Sequence, residues 1–210
     1  MIITSIKKKG NNVEIQFDEG KPILLDHRVV IDNGLRKNDV ITESKKNELL
    51  HLNEKFIIKN TALKFILRRL HSVQELKNKL LKKNFNKELI NEVINELISK
   101  NYLNDLEFCK AYFEERFVRK KIGINKIKLE LLKKGVEKKI IDEVINEADE
   151  NASLNNAYEV AIKKLRLIQH KKLDKQKKQQ KLYSFLVSKG FQTDIILKVL
   201  KKLNLDEEAL

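Results

Sequence analysis

The sequence of 210 residues contains little of what disulfides, thiolate metal clusters or membrane anchors require. Cys109 is the only cysteine, which excludes an intrachain disulfide and a metal cluster held by several thiolates. No apolar run approaches the ~20 residues that a helix needs to span a bilayer. The apolar start at residues 1–7 is too short for a signal peptide. These absences predict a cytoplasmic protein with no membrane-spanning segment.

Residues that break helices are also scarce, since the chain has one proline and six glycines. Leucine, isoleucine, lysine and glutamate are abundant, and this combination is typical of helices. Tryptophan is absent, and the other aromatic residues fall mostly on predicted helical stripes or after turns. That placement favours core positions over a platform for stacking nucleic-acid bases. We predict a mainly α-helical fold.

The charge is strongly one-sided, with a formal net charge of +14. A positive field attracts nucleic acids and acidic protein surfaces. Lysine, asparagine and isoleucine are jointly abundant, as an AT-rich coding sequence would produce. The excess charge therefore fits either nucleic-acid binding or a by-product of composition, and both interpretations stay open.

The first fifty or so residues have the pattern of a small antiparallel β meander. Residues 13–17 alternate apolar and polar side chains, the period of a half-buried strand, and residues 3–8 and 22–25 offer two more strands. Residues 29–34 are predicted to close the meander, and a short helix is predicted to begin near Glu43. Because a lone hairpin is marginal in water, this segment must pack on another element.

From about residue 60 the period of the apolar residues becomes helical. The apolar stripe of this first helix is predicted to consist of Ala62, Leu63, Ile66, Leu67 and Leu70. Ser72 and Glu75 have the spacing of a capping box that opens a second helix. This second helix is predicted to end at Asn84, and a third helix follows it.

The three-helix block then recurs along the chain. Residues 76–85 match residues 127–136 at an offset of 51, and a third copy begins at Leu182, a further 55 residues on. In each copy a helix ends at a residue that can adopt the left-handed conformation, and an apolar residue follows it. These pairs are Asn84 with Phe85, Gly135 with Val136, and Gly190 with Phe191.

A unit this small cannot bury its apolar face alone, so three tandem units are predicted to stack into an elongated, curved molecule. Asn104 and Glu107 have the pattern of a helix cap at the start of the second unit. Residues 171–181 are the most polar stretch, which fits either a mobile loop or the exposed end of a helix. The predicted domains are a β meander with a short helix at 1–50, and three-helix repeats at 51–106, 107–151 and 152–210.

Five short motifs in register resemble those of the RecX family, over about residues 60–205. Residues 68–76 resemble the family signature R-x-x-S-x-x-E-L, and residues 101–108 resemble the junction G-Y-L-N/D-D-x-x-F, with Asn101 in place of glycine. Residues 130–136 and 185–191 resemble E-L-x-x-K-G-I and F-L-x-x-K/R-G-F. The remaining motif, R-x-x-K-G-x-G-x-x-K/R-I, is matched at Lys120, Gly123, Lys126 and Ile127, with Arg116 one position before the arginine of the motif. Two positions depart from the family pattern, with Lys121 in place of glycine and Ile124 in place of proline.

The resemblance implies tandem three-helix repeats and a cytoplasmic protein that binds RecA filaments on DNA. Such a protein would limit filament growth, strand exchange and the coprotease activity of RecA. We expect a monomer that touches single- and double-stranded DNA only weakly, through its charge.

Few residues suggest catalysis. The four histidines, at positions 27, 51, 71 and 170, lack the i, i+4 spacing of helical metal ligands. Cys109 lies on an apolar stripe and is interpreted as a core residue, and Gly123 stands alone rather than in a phosphate-binding loop. We therefore predict no catalytic residues, no cofactor site and no metal site, and a protein that is not an enzyme.

Basic residues are the candidate contacts with RecA or DNA. They are Arg68, Arg69, Arg116, Arg119, Lys120, Lys121, Lys126, Lys133 and Lys134. At 3.6 residues per turn, Arg116, Arg119 and Lys120 are predicted to share one helix face. Arginine suits bidentate contact with phosphate or carboxylate. A structural role for the first pair, and a merely solvated face for the others, are the competing interpretations.

An alternative function is a general DNA-binding helical-repeat protein without a role directed at RecA. The two functions differ in their response to salt, because affinity for duplex DNA falls with a slope of about −0.9 per neutralised phosphate. Binding directed at a protein should persist better as salt rises.

Overall fold

The structure is a computed structural model and describes residues 1–147, 149–169 and 174–206. Three strands come first, β1 Ile3–Lys9, β2 Asn12–Phe17 and β3 Ile23–Asp26. The helices are α1 His27–Asp32, α2 Glu43–Ile66, α3 Val73–Leu81, α4 Lys87–Ser99, α5 Asp105–Phe113, α6 Ile124–Lys133, α7 Lys138–Asn146, α8 Glu150–Gln169, α9 Lys175–Lys189 and α10 Thr193–Asp206, with a π-helix at Glu114–Arg119 between α5 and α6. The mainly α prediction with a small β segment is confirmed.

Two compact units make up the chain. The first comprises Met1–His71 and Leu76–Leu103, and the second comprises Ser72–Glu75 and Asn104–Leu210. Helix α2 begins in the β segment and continues through the predicted boundary between residues 50 and 51. The division into one β domain and three repeats remains our proposal for the domain organisation.

The sheet of the first unit is the predicted antiparallel meander, in the order β1-β2-β3. Ile6 pairs with Ile15, and Val13 pairs with Leu25. The alternation along β2 buries Val13, Ile15 and Phe17 on one face, where they form a core with residues of α1 and α2. The predicted packing of the meander on another element is thus confirmed.

The segment predicted to close the meander contains a helix. Asp26 ends β3 and accepts a hydrogen bond from the Arg28 backbone N–H, which caps α1. This helix buries Val29 and Val30 against the sheet. The helix predicted near Glu43 is correct in position but wrong in length, because α2 has 24 residues.

The apolar stripe predicted for residues 62–70 is only partly correct. Ala62 is buried, but Leu67 is 84% exposed and Leu70 is also exposed. The reason is that α2 ends at Ile66, so the helical phase on which the stripe depended stops there. The two predicted helix caps are present. Ser72 Oγ accepts from the Glu75 N–H, and Asn104 Oδ1 accepts from the Leu106 and Glu107 N–H groups.

The three predicted left-handed turns are present, with φ of 60° at Asn84, 77° at Gly135 and 87° at Gly190. Lys121, where the resembled family often has glycine, also has a positive φ, 53°. Of the apolar residues that follow the turns, Val136 and Phe191 are buried and Phe85 is half-buried. Part of the polar stretch 171–181 lies outside the described residues, and Asp174 caps α9 through the Lys177 N–H.

At two places in the second unit, the start of one helix is hydrogen-bonded to the turn at the end of another. We call each of these contacts a joint. In one, Ser72 Oγ donates to the Lys134 carbonyl at 2.6 Å, beside the Gly135 turn. In the other, the Gly123 N–H donates to the Lys189 carbonyl at 2.9 Å and the Asn125 N–H donates to the Gly190 carbonyl at 3.0 Å. Gly123 lies 51 residues after Ser72, and Lys189 lies 55 residues after Lys134, so the joints follow the offsets of the sequence repeat.

The second joint leaves no space for a side chain. A Cβ atom at Gly123 would lie 2.1 Å from the Gly190 carbonyl carbon, and one at Gly190 would lie 2.3 Å from the Lys126 Cβ. The start of α6 and the turn between α9 and α10 therefore meet backbone to backbone. The backbone conformation of Gly123 does not by itself require glycine. The close approach of the Gly190 backbone does.

We expect Gly190→Ala to destabilise the protein more than Gly10→Ala. Both residues have positive φ, which costs a non-glycine residue about 1–2 kcal/mol. Only position 190 adds a steric clash, worth about 1–3 kcal/mol, because no atom lies within 4 Å of a Cβ built at Gly10. Urea unfolding followed by circular dichroism measures both losses. Equal losses would contradict the close approach at the joint.

Ion pairs link α2 to α4 within the first unit. Glu96 Oε1 accepts from Lys100 Nζ at 2.7 Å and from Lys59 Nζ at 2.6 Å. The hydrogen bond from Lys100 has the largest effect on the pKa of Glu96, and that from Lys59 has the next largest. Together they lower this pKa from 4.5 to about 2, although partial burial opposes them. Because the folded-state pKa is depressed, the carboxylate stabilises the fold above pH 4.5 and loses that contribution as the pH falls towards 2.

We expect Glu96→Gln to reduce the loss of stability between about pH 4.5 and pH 2, because the glutamine does not titrate. Urea midpoints measured across this pH range for the variant and the native protein give the test. Glu88→Gln, at an exposed position of the same helix, is the matched control. The same pH profile for both variants would refute the role assigned to Glu96.

Candidate partner-binding surface

The predicted basic cluster begins on the π-helix that follows α5. Its turns are wider than those of an α-helix, and the Lys120 N–H accordingly donates to the Glu115 carbonyl, five residues back. The period of 3.6 residues per turn that was assumed for Arg116, Arg119 and Lys120 therefore does not hold here. The Arg116 side chain is 25% exposed, whereas that of Arg119 is 68% exposed.

Arg116 is held by a hydrogen-bonded network. Its Nε and Nη2 donate to Glu130 Oε2 and Oε1 at 2.8 and 2.6 Å, and the Tyr112 hydroxyl donates to Glu130 Oε2 at 2.9 Å. Burial raises the pKa of Glu130, but the hydrogen bonds from Arg116 and Tyr112 outweigh it and leave the pKa below its ordinary value. The network ties the π-helix to α6.

Lys134 and Lys121 also have intramolecular partners. Lys134 Nζ lies 2.5 Å from Glu75 Oε1 and above the rings of Phe108 and Tyr112. Lys121 Nζ forms an ion pair with Glu159 of α8. Both lysines contribute to contacts within the second unit, a role that the sequence analysis did not assign to them.

The other candidates are more accessible. Arg119 lies 3.5 Å from Glu114 and 3.8 Å from Glu115, and Lys120 lies 3.0 Å from Glu115. These pairs are at the surface, where ion pairs contribute little to stability. Lys133 is exposed and has no ion pair within the described part of the chain. Arg68 and Arg69 are exposed in the first unit, just after α2, where Arg69 Nη1 donates to the Leu70 carbonyl.

Helix α6 places two of the predicted lysines beside a groove that the sequence analysis missed. The groove has a volume of about 530 Å³, and its lining includes Lys126, Leu129, Lys133, Val187 and Phe191. Leu129 was a possible signal, because it is apolar but lies outside the core positions Ile127 and Leu131 of its helix. Its partners on α9 could not be found without the joint at Gly123 and Gly190.

The sequence predicts that Cys109 is a core residue. Cys109 is fully buried, and burial, followed by the charges of Asp105 and Glu143, raises the pKa of its thiol to about 11. Cys109 is therefore a core residue, as predicted. Its raised pKa also disfavours the thiolate, which is the reactive form of cysteine.

Among the described residues, no helix is both long and apolar enough to cross a membrane.

We expect Arg116→Lys to destabilise the protein by about 1–2 kcal/mol, because lysine cannot make both bonds of the guanidinium to Glu130. Arg119→Lys should change the free energy of unfolding by less than about 0.5 kcal/mol, as is usual at an exposed site. Urea unfolding of the two variants gives the comparison. A destabilisation by Arg119→Lys as large as that by Arg116→Lys would contradict the network.

Three family models match the chain. They describe the first, second and third three-helix domains of RecX, and they match residues 59–97, 104–145 and 151–200. Together they cover more than half of the sequence. They also follow the order of the repeats predicted from the turns.

Similar proteins and structures agree with these matches. Regulatory protein RecX of Clostridium perfringens strain 13 is 31% identical over 208 residues, 98% of this chain and 97% of the relative. That of Listeria monocytogenes serotype 4b strain CLIP80459 is 32% identical over 198 residues, 93% of this chain and 73% of the relative. A crystal structure of regulatory protein RecX has a TM-score of 0.75 at 18% identity, covering 94% of this chain and 98% of the other. RecX from Lactobacillus salivarius has a TM-score of 0.66 at 26% identity, covering 73% and 99%. The chain belongs to the RecX family, whose curated members similar to it are named regulatory proteins.

Proposed function

We propose that this protein binds RecA filaments on DNA and mostly inhibits the recombinase, ATPase and coprotease activities of RecA. Membership of the RecX family supports this function, together with the resemblance noted in the sequence motifs. The observation that carries the proposal is the division of the basic residues into two groups. One group is used to build the repeats, and the other is left accessible on them.

The accessible group supplies the proposed contacts with the filament. It consists of five exposed residues and the half-buried Lys126; the exposed residues are Arg68, Arg69, Arg119, Lys120 and Lys133. Their charge attracts both DNA phosphates and acidic protein surfaces, and it speeds the encounter with a polyanionic filament. Arg116, Lys121 and Lys134 contribute indirectly in this proposal, because their ion pairs hold the surrounding elements in place.

Regulation in this proposal requires binding alone, with no cofactor and no chemical step. A monomer in the cytoplasm would occupy the filament and alter its growth or its ATPase cycle. This role belongs to homologous recombination and to DNA repair. The relatives' name, regulatory protein, agrees with a role of this kind.

General DNA binding is the second candidate function, and the exposed Arg119 and Lys120 favour it. Flexible cations at a surface suit phosphate contacts that do not depend on sequence. Salt separates the two functions. Affinity that rests on phosphates alone falls steeply with salt, whereas contact with RecA also buries surface that salt does not screen.

We expect substoichiometric amounts of this protein to inhibit strongly the single-stranded-DNA-dependent ATPase of the cognate RecA. The double variant Arg119→Glu and Lys120→Glu should require several-fold more protein for half-inhibition, because each change reverses an exposed positive charge. The control is Lys82→Glu with Lys83→Glu, which changes the net charge equally at two exposed positions.

The outcome distinguishes the two functions. No effect of the native protein on the ATPase, together with tight and salt-sensitive binding to bare DNA, would refute RecA regulation and favour general DNA binding. Equal loss of inhibition in both double variants would show that total charge, rather than these two positions, determines binding.

A further inference from the structure

The groove between α6 and the turn from α9 to α10 is lined by exposed apolar side chains, which binding to phosphate groups does not require. Leu129 of α6 is 58% exposed and Val187 of α9 is 48% exposed, and Phe191, which also lines the groove, is buried. The walls belong to one unit and are held together by the backbone hydrogen bonds of Gly123 and Asn125. The two exposed apolar side chains therefore face the groove from elements that are joined directly.

The charged side chains that line the groove are Lys126, Lys133 and Glu130. Lys126 and Lys133 are seven residues apart on α6, which places them about 10 Å apart along the helix, on either side of Leu129. Lys126 Nζ reaches the Ser188 carbonyl only at 3.3 Å, and Lys133 is exposed. Glu130 also lines the groove, but its carboxylate is engaged by Arg116 and Tyr112. The groove thus offers positive charge on both sides of an apolar centre.

This arrangement selects the chemistry of the ligand. A phosphate backbone would satisfy the lysines but would leave Leu129 and Val187 uncovered. Burial of apolar surface contributes about 25 cal/mol per Å², so a ligand with an apolar group gains energy that DNA does not. Recognition of a helix or strand by an apolar groove with charged edges is a common mode of peptide binding.

We infer that the groove binds an acidic protein segment that inserts an apolar side chain between Leu129 and Val187. Carboxylates on either side of that side chain pair with Lys126 and Lys133. The inference rests on the proposed function in one respect, since the segment would belong to a recombinase subunit of the filament. It deepens that function by assigning a protein contact to the groove, separate from the phosphate contacts of other basic residues.

The test is equilibrium binding of fluorescently labelled full-length protein to RecA filaments and, separately, to the same DNA without RecA. The double variant Leu129→Ser and Val187→Ser should weaken filament binding by about tenfold or more and change binding to bare DNA less than twofold. Lys133→Glu should weaken filament binding in the same direction. The matched control is Leu24→Ser with Leu167→Ser, two exposed leucines outside the groove, which should leave both affinities unchanged.

Three results would overturn the inference. Unchanged filament binding by the groove variant would do so while leaving the proposed function intact. Equal weakening of filament and bare-DNA binding would identify the groove as a nucleic-acid contact instead. Failure of the native protein to bind filaments at all would refute the proposed function, and the assignment of the groove with it.

Discussion

The second unit depends on the contact between the start of one helix and the end of another. A helix leaves unpaired N–H groups at its first turn and unpaired carbonyls at its last. At Gly123 and Asn125 these donors meet the acceptors of Lys189 and Gly190, so each helix end satisfies the other. The geometry requires backbones to touch, which only glycine allows at the two closest positions. At the corresponding contact the donor is a side chain, the Ser72 hydroxyl just before α3, and the acceptor is the Lys134 carbonyl.

The face of α6 that packs in the core determines which of its side chains remain available for binding. Ile127 and Leu131 face the core, so Lys126, Leu129 and Lys133 are left on the outer side of α6. The link from Arg116 to Glu130 then neutralises a carboxylate that would otherwise oppose an acidic ligand at the same place. Core residues and the residues proposed to bind a ligand are therefore interleaved along one helix.

Local features of the fold could be predicted from the sequence, and features that depend on distant residues could not. The caps at Ser72 and Asn104 and the left-handed turns at Gly135 and Gly190 each follow from a few neighbouring residues. The π-helix was missed because a regular period was assumed through residues 114–119. The partners of basic residues were missed for a different reason. Arg116 and Glu130 are 14 residues apart, and no spacing rule connects them before the fold is known.

The difference between cations that tie elements together and cations that are exposed bears on how charge is used for recognition. A net charge of +14 spread over the surface attracts DNA and acidic proteins alike, so it increases encounter without selecting a partner. Selection requires a feature that one partner lacks, and apolar walls beside lysines provide it. Such walls also exclude water once a ligand is bound, which strengthens ion pairs and reduces their screening by salt. Contacts in the groove should therefore tolerate salt better than those of Arg119 and Lys120, whose side chains are 68% and 53% exposed and open to screening.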